Sequence, residues 1–279
     1  SVANNRYSAI SLSSPSPQRA PRSAVIIAFN EADRIGDCLA SLAFCDEIVL
    51  VDSYSTDRTV AIAQAMGARV LQRTFDGFRS QKQYAVEQAR HDWVLCLDAD
   101  ERVGDTLRAS ILQARDDGFG TAAGYRFARL SEYFGRFLRH GNAYPDRVLR
   151  LFDRRRGGWR GKREVHEAAS VDGPVTILAG NLIHYPYRSL EQQLAKTQRY
   201  ARMMAEHDFA RGRRATLTAL VLSPAWRFWR GFLFRGGFRD GWHGLVYAYV
   251  RANYVRQKTI MLWMMQHKQP VADPPRGDR

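Results

Sequence analysis

Four short apolar runs, Ala24–Phe29, Ile48–Val51, Arg69–Leu71 and Trp93–Leu97, recur a little over twenty residues apart. Each is bounded by polar turn-forming residues and is too short for a typical helix, so each reads as a buried strand. Between the first two runs, Ile35, Leu39 and Leu42 fall at helical spacing. Between the next two, Thr59 to Met66 reads as a helix that Gly67 stops. Phe78 to Ala89 repeats the signal through Tyr84, Val86 and Ala89. Strand–helix alternation at this period predicts an α/β fold built on a parallel sheet with right-handed crossovers.

From Ala122 the pattern shifts to extended pieces, Tyr125–Ala128, Val148–Phe152 and Val175–His184, with Gly and Arg dense between them. These predict a smaller, mixed-direction extension of the sheet. Beyond Ser189 the chain reads as helical. One stripe runs through Leu190, Leu194, Thr197, Ala201 and Met204, and another through Leu245, Ala248, Ala252, Val255, Thr259 and Leu262. Gly231, Gly236-Gly237, Gly241 and Gly244 are expected as turns between helices. The organisation expected is a disordered extension over 1–22, an α/β domain over 23–184 divided near residue 120, a helical region over 185–268, and a flexible tail over 269–279.

Charge changes this picture. The formal net charge is +14, yet residues 1–120 hold 13 Lys and Arg against 16 Asp and Glu. Residues 121–184 hold 12 against 6, and residues 185–279 hold 17 against 6. The excess therefore belongs to the second half and points to an anionic partner there. In that half arginines interleave with Trp226, Phe228, Trp229, Phe232, Phe234, Phe238, Trp242 and Tyr247, a mixture suited to a membrane interface or to a packed helical core. Leu217 to Phe234 is the most apolar stretch, but Pro224, Arg227 and Arg230 interrupt it, which favours lying on a bilayer over crossing it. The start of the chain lacks the apolar core of a signal peptide. Cys38, Cys45 and Cys96 lie in or beside apolar segments without metal-ligand spacing, and read as reduced core residues of a cytoplasmic protein.

Ligands of open parallel sheets bind beyond the carboxyl ends of the strands. The polar clusters there are Asn30-Glu31-Ala32-Asp33, Asp52 to Asp57, and Asp98-Ala99-Asp100-Glu101. Asp98 and Asp100, one residue apart at a strand end, can hold Mg²⁺ or Mn²⁺ against a diphosphate. Asp52 suits hydrogen bonding to a ribose or a uracil, while Asp57 is expected to cap the next helix. Asn30 can cap a helix or lie beside a nucleobase. Arg79 and Lys82 can add positive charge near phosphates. No Gly-x-Ser-x-Gly elbow, P-loop or zinc-protease motif is present.

Ala28-Phe29-Asn30-Glu31, Val51-Asp52-Ser53-x-Ser55-Thr56-Asp57 and Leu97-Asp98-Ala99-Asp100-Glu101 resemble the family 2 glycosyltransferases, which have the Rossmann-like GT-A fold. Asp76-Gly77-Phe78-x-x-Gln81-Lys82, Arg150-Leu151-Phe152, Val165-His166-Glu167 and Ile183-His184-Tyr185 resemble the branch that adds glucose from UDP-glucose to the first inner-core heptose of lipopolysaccharide. Tyr54 departs from the pattern where Gly is common, and Arg79 where a small residue is common.

The resemblance implies an inverting hexosyl transfer that needs one general base. Glu167 is the residue expected in that role, with His166 orienting it, contacting the sugar or taking the proton itself; Glu164 and Asp146 are the competitors. It further implies nucleotide-sugar contacts from Phe29, Asn30, Glu31, Asp52, Ser53, Arg79, Lys82, Asp98 and Ala99. Asp98, Asp100 and His184 would hold the metal, and Asp146, Arg150 and Trp159 would contact the acceptor. The partners expected are a UDP-sugar donor, a lipid-linked anionic glycan and the inner face of the cytoplasmic membrane, without nucleic acid. The alternatives are transfer to a polyprenyl phosphate or another glycan and, in a different class, a basic nucleic-acid-binding protein.

Overall fold

The computed structural model describes residues 20–159 and 168–267. The expected extension over 1–22 lies outside these residues save its last three, and the flexible tail lies outside them entirely. The first half alternates as the apolar runs predict. It comprises β1 (Arg22–Ala28), α1 (Ile35–Ser41), β2 (Glu47–Asp52), α2 (Thr59–Ala65), β3 (Arg69–Gln72), α3 (Phe78–Glu87) and β4 (Trp93–Asp98). Next come β5 (Glu101–Val103), α4 (Asp105–Asp116), β6 (Gly124–Tyr133), β7 (Arg136–Phe137) and β8 (Asp146–Asp153). Short strands β9 (Gly157–Gly158) and β10 (Ser170–Val171) pair with each other, and β11 runs Val175–His184.

The main sheet has the order β3-β2-β1-β4-β8-β6-β11-β5, with β7 paired to β6. β1, β2, β3 and β4 are mutually parallel, whereas β8 joins β4 antiparallel and opens the mixed extension. The central strands are apolar on both faces, as a sheet covered on both sides requires. Ala24, Ile26, Leu50, Leu95 and Leu97 pack with Ile35, Cys38 and Leu39 of α1 and with Leu107 and Ile111 of α4. The alternate residues Val25, Val49, Val51, Val94 and Cys96 pack with Ala85 and Val86 of α3 on the other face. All three cysteines are free, and burial pushes the Cys45 and Cys96 thiols up to about 12.

Helices follow the sheet: α5 (Leu190–Ala210), α6 (Leu217–Trp229) continued by a π turn over Arg230–Phe234, a 3₁₀ turn over Gly237–Asp240, and α7 (Gly241–Gln266). Two expectations are corrected here. Leu190 and Leu194 of the expected stripe are exposed while its Ala201 is buried, and α5 buries Gln193, Ala205 and Asp208 beside it. Small alanines permit close packing, and the Asp208 carboxylate accepts from Lys258 of α7 at 2.8 Å, which fixes the inward face. Gly231 and Gly244 are not turns between helices. They lie within the π turn and the first turn of α7, where a Cβ on Gly244 would collide with the Gly237 carbonyl.

Candidate active site

Register brings the acidic strand ends together. Ala28 of β1 pairs with Asp52 of β2, and Ile27 of β1 pairs with Asp98 of β4. The segments after β1, β2 and β4 therefore leave the sheet along one edge. β11 runs antiparallel to β5 with His184 opposite Glu101, which carries the histidine to the same edge.

The loops after β1 and β2 are tied to each other. Asn30 has φ 53° and its side-chain oxygen accepts from Thr56 N at 2.8 Å, while its own N–H donates to Ser55 Oγ at 2.8 Å. Asp57 accepts from Thr59 N at 2.9 Å and from Ala32 N at 3.1 Å, the structural part expected of it. Asp52 is fully buried, and its carboxylate accepts from the Ser55 N–H at 2.8 Å. Ser53 Oγ accepts from Gln81 Nε2 at 3.1 Å. Phe29 and Tyr54 flank this pair of loops as exposed rings. Tyr54 has φ 62°, in the left-handed region that glycine occupies without cost.

Asp98 is the centre of a charge network. Lys82 Nζ from α3 lies 2.7 Å from its Oδ1, and Arg150 Nη2 from β8 lies 2.7 Å from its Oδ2. Burial alone would raise this carboxyl, but the two cations outweigh it and hold Asp98 far below the usual carboxylate range. Arg150 also donates to Glu101 at 3.0 Å, and Glu101 accepts from Arg129 at 3.3 Å and from the Asp98 N–H at 3.0 Å. Arg129 continues to Asp146 at 2.6 Å. Trp159 lies beneath the cations, with Lys82 Nζ 4.7 Å and the Arg150 guanidinium 5.5 Å from its ring centre. Arg79 sits half-buried in the first turn of α3.

Asp100 is separate from that network. Its Oδ2 lies 3.5 Å from His184 Nε2, and His184 Nδ1 is 3.0 Å from Ser131 Oγ. Burial opposes ionisation of Asp100, yet His184 holds its carboxyl below the ordinary value. The segment after β11 then crosses the site. Tyr185 N donates to Asp100 O at 2.9 Å, Tyr185 O accepts from Arg34 at 2.8 Å, and Arg188 pairs with Glu31 at 2.6 Å and Asp33 at 2.7 Å. Burial pushes the Glu31 carboxyl up against the pull of Arg188.

Several expected site residues stand elsewhere than at an accessible surface. Arg150 and Trp159, expected to contact the acceptor, are buried, and the guanidinium is spent on Asp98 and Glu101. Ala99 packs into the core between the sheet and α1. Asp98, expected as a metal ligand, has both oxygens engaged by cations. Glu167, His166 and Glu164 lie outside the described residues. Glu101, Arg129, Ser131 and Arg188 were not expected at the site. The only sequence signal for Glu101 was its place directly after the Asp pair, and Arg188 carried none.

Among the described residues no group of three or more His, Cys, Asp and Glu side chains is disposed to hold a metal ion. Asp100 and His184 nevertheless supply one oxygen and one nitrogen donor, with Ser131 orienting the ring. One carboxylate oxygen and one imidazole nitrogen are donors of the kinds that Mn²⁺ accepts, and the carboxylate suits Mg²⁺ as well.

Likeness to known proteins places the chain that builds this strand-end edge within one family. The family described as "Glycosyl transferase family 2" matches residues 23–170, and the chain belongs to it. It is 32% identical over 254 residues to the lipopolysaccharide core biosynthesis glycosyltransferase LpsC of Rhizobium meliloti (strain 1021), covering 85% of this chain and 93% of that protein. An uncharacterized glycosyltransferase of Rickettsia felis is 27% identical over 268 residues, covering 90% and 93%. Among solved structures, S. aureus TarS 1-349 in complex with UDP is 16% identical with a TM-score of 0.44, covering 91% of this chain and 94% of that one. The mostly parallel sheet with a mixed extension and a helical region, expected of a GT-A enzyme, is the architecture observed.

Proposed function

We propose that this protein transfers a hexose, glucose from UDP-glucose, with inversion to an inner-core heptose of lipopolysaccharide at the membrane surface. The observation that carries the reading is the meeting of Asp100 with His184 at the edge where β1, β2 and β4 end, beside Asp98 held ionised by Lys82 and Arg150. The 32% identity to LpsC over most of both chains supports the lipopolysaccharide-core acceptor.

In this reading the loops after β1 and β2 take the nucleoside, with Asn30, Phe29 and Tyr54 beside the base. Asp52 shapes the second loop from within through Ser55. Lys82 keeps one face of its ammonium on Asp98 and can turn other N–H bonds to a diphosphate, since an ammonium has three donors. A divalent cation held by Asp100 and His184 would neutralise charge on the leaving diphosphate. The attacking acceptor hydroxyl gives its proton to Glu167, which His166 orients. Arg129 and Asp146 line the acceptor side of the same edge.

The test is release of UDP from a panel of nucleotide sugars, with heptose-terminated lipid A–core fragments as acceptors. UDP-glucose consumption that requires both the acceptor and Mg²⁺ or Mn²⁺ is expected. Turnover of another donor would correct the sugar. No turnover of any nucleotide sugar would overturn the proposal.

A further inference from the structure

Beyond that reading, the helical region carries a surface that the transfer chemistry does not use. α6 buries none of its residues. Leu222, Trp226, Trp229 and Leu233 recur at helical spacing and are 51–64% exposed. α7, which packs against α6, repeats the pattern with Trp242, Leu245 and Tyr249, 43–61% exposed, while Ala248, Ala252 and Leu262 face inward. A helix pair that covers only one of its sides leaves an apolar area of a kind that marks an interaction site.

The charges around it say what covers it. Residues 211–267 hold ten Lys and Arg and a single carboxylate, Asp240. Asp240 is buried and accepts from the His140 ring and from the Arg139 and His140 N–H groups, so it neutralises nothing on the surface. Arg213 and Lys258 are satisfied by Asp208. Arg235 and Arg239 stand exposed beside Phe234 and Phe238, which are themselves 68% and 49% exposed. These two cations call for external anions beside an apolar area rich in tryptophan. A second copy of the chain would set like charges against each other, which is costly. Phosphate headgroups over acyl chains match both halves of the surface. No helix of the described residues is long and apolar enough to cross a membrane, so the match is to lying on one.

We infer that the exposed side of α6, the π and 3₁₀ turns and α7 is a docking face for an anionic bilayer, with Trp226, Trp229 and Trp242 entering the interface and Arg235 and Arg239 binding lipid phosphates. The face sets the enzyme on the leaflet where a lipid-linked acceptor is held, yet its binding is separable from turnover.

The test is cosedimentation of the full chain with phosphatidylcholine vesicles and with equimolar phosphatidylcholine–phosphatidylglycerol vesicles, at low and high salt. Salt-sensitive binding to the anionic vesicles alone is expected. Replacing the exposed Arg235→Gln and Arg239→Gln together should weaken it by about tenfold or more. Trp226→Ser with Trp229→Ser should reduce the blue shift of tryptophan emission on binding, leaving the part that Trp242 contributes. Both variants should keep the wild-type thermal midpoint and UDP affinity. Equal binding to neutral vesicles, variants that bind as the wild type does, a dimer in solution dispersed by the Trp replacements, or tighter binding to duplex DNA would each overturn the inference. Vesicle binding without sugar-nucleotide turnover would sink the transferase reading and leave this one standing; turnover without vesicle binding would do the reverse.

Discussion

Lys82 reaches from α3 to within 2.7 Å of Asp98 at the end of β4, so the most acidic side chain at the site is already neutralised by the protein. Arg150 takes the other oxygen from the opposite side. The arrangement divides labour between two aspartates one residue apart. Asp98 anchors cations, and Asp100 is left to face His184. The division yields distinct expectations for each residue.

Removing Arg150 should be costly to the fold. Arg150→Met leaves Asp98 with Lys82 as its one cation and the fully buried Glu101 with Arg129 as its one cation beside the Asp98 N–H. Breaking a buried pair by deleting one member costs roughly 3–5 kcal/mol. Chemical denaturation should register that loss, and Arg150→Lys should recover only part of it, because the one nitrogen that serves both carboxylates sits at the end of a longer side chain whose guanidinium also faces the Trp159 ring.

Acid should erode the contribution of Asp98. Its folded value lies below the unfolded value of about 4, so its stabilisation is fully present above that pH and is lost as pH falls toward the folded value. Below pH ~4 the advantage of the wild type over Asp98→Asn should shrink by about 1.4 kcal/mol per pH unit. Thermal midpoints of both proteins from neutral pH to pH ~3 would check this; a constant gap would refute it.

Asp100→Asn should differ from both. It leaves the Lys82–Asp98–Arg150 network intact, so the thermal midpoint should stay near that of the wild type. Turnover should fall by at least about a hundredfold, as expected when charge stabilisation of a leaving group is removed. UDP affinity should no longer respond to Mn²⁺, and His184→Ala should behave alike. Calorimetry with and without the ion reads the effect directly.

Glu167→Gln should uncouple binding from chemistry. Donor affinity is expected to remain, while turnover drops by about 10²–10⁴-fold, the usual worth of a general base. A variant retaining activity would move the proton acceptor to Asp146 or Glu164.

Gly244→Ala probes the packing of the helices. The added methyl meets the Gly237 carbonyl and the Asp240 side chain, so a loss of about 1–3 kcal/mol is expected. UDP affinity should be unaffected if the donor edge is as remote from that contact as the fold indicates.

The legible parts of the chain were those whose information is local. β1 to β4 are buried on both faces, and their uninterrupted apolar runs announce them. The acidic residues that follow were legible because strand ends of a parallel sheet share an edge. β5 is only three residues long and alternates buried with half-buried positions, so Glu101–Val103 leaves no periodic signal. Arg150 lies 52 residues from Asp98, and its motif gave no hint that the guanidinium points inward. Leu190 and Leu194 were misplaced for a related reason: periodicity identifies a helix face, but the choice between faces was made by Asp208 meeting Lys258.

Arg188 ties the start of the helical region to the loop after β1. Its guanidinium grips Glu31 and Asp33, while three residues earlier Tyr185 is fastened to Asp100 and Arg34. One short stretch of chain thus buckles the loop after β1 to the carboxylate–histidine pair. A tilt of α5 would pull on the loops after β1 and β4 together, so the posture of the helices and the shape of the strand-end edge are linked through a single strap.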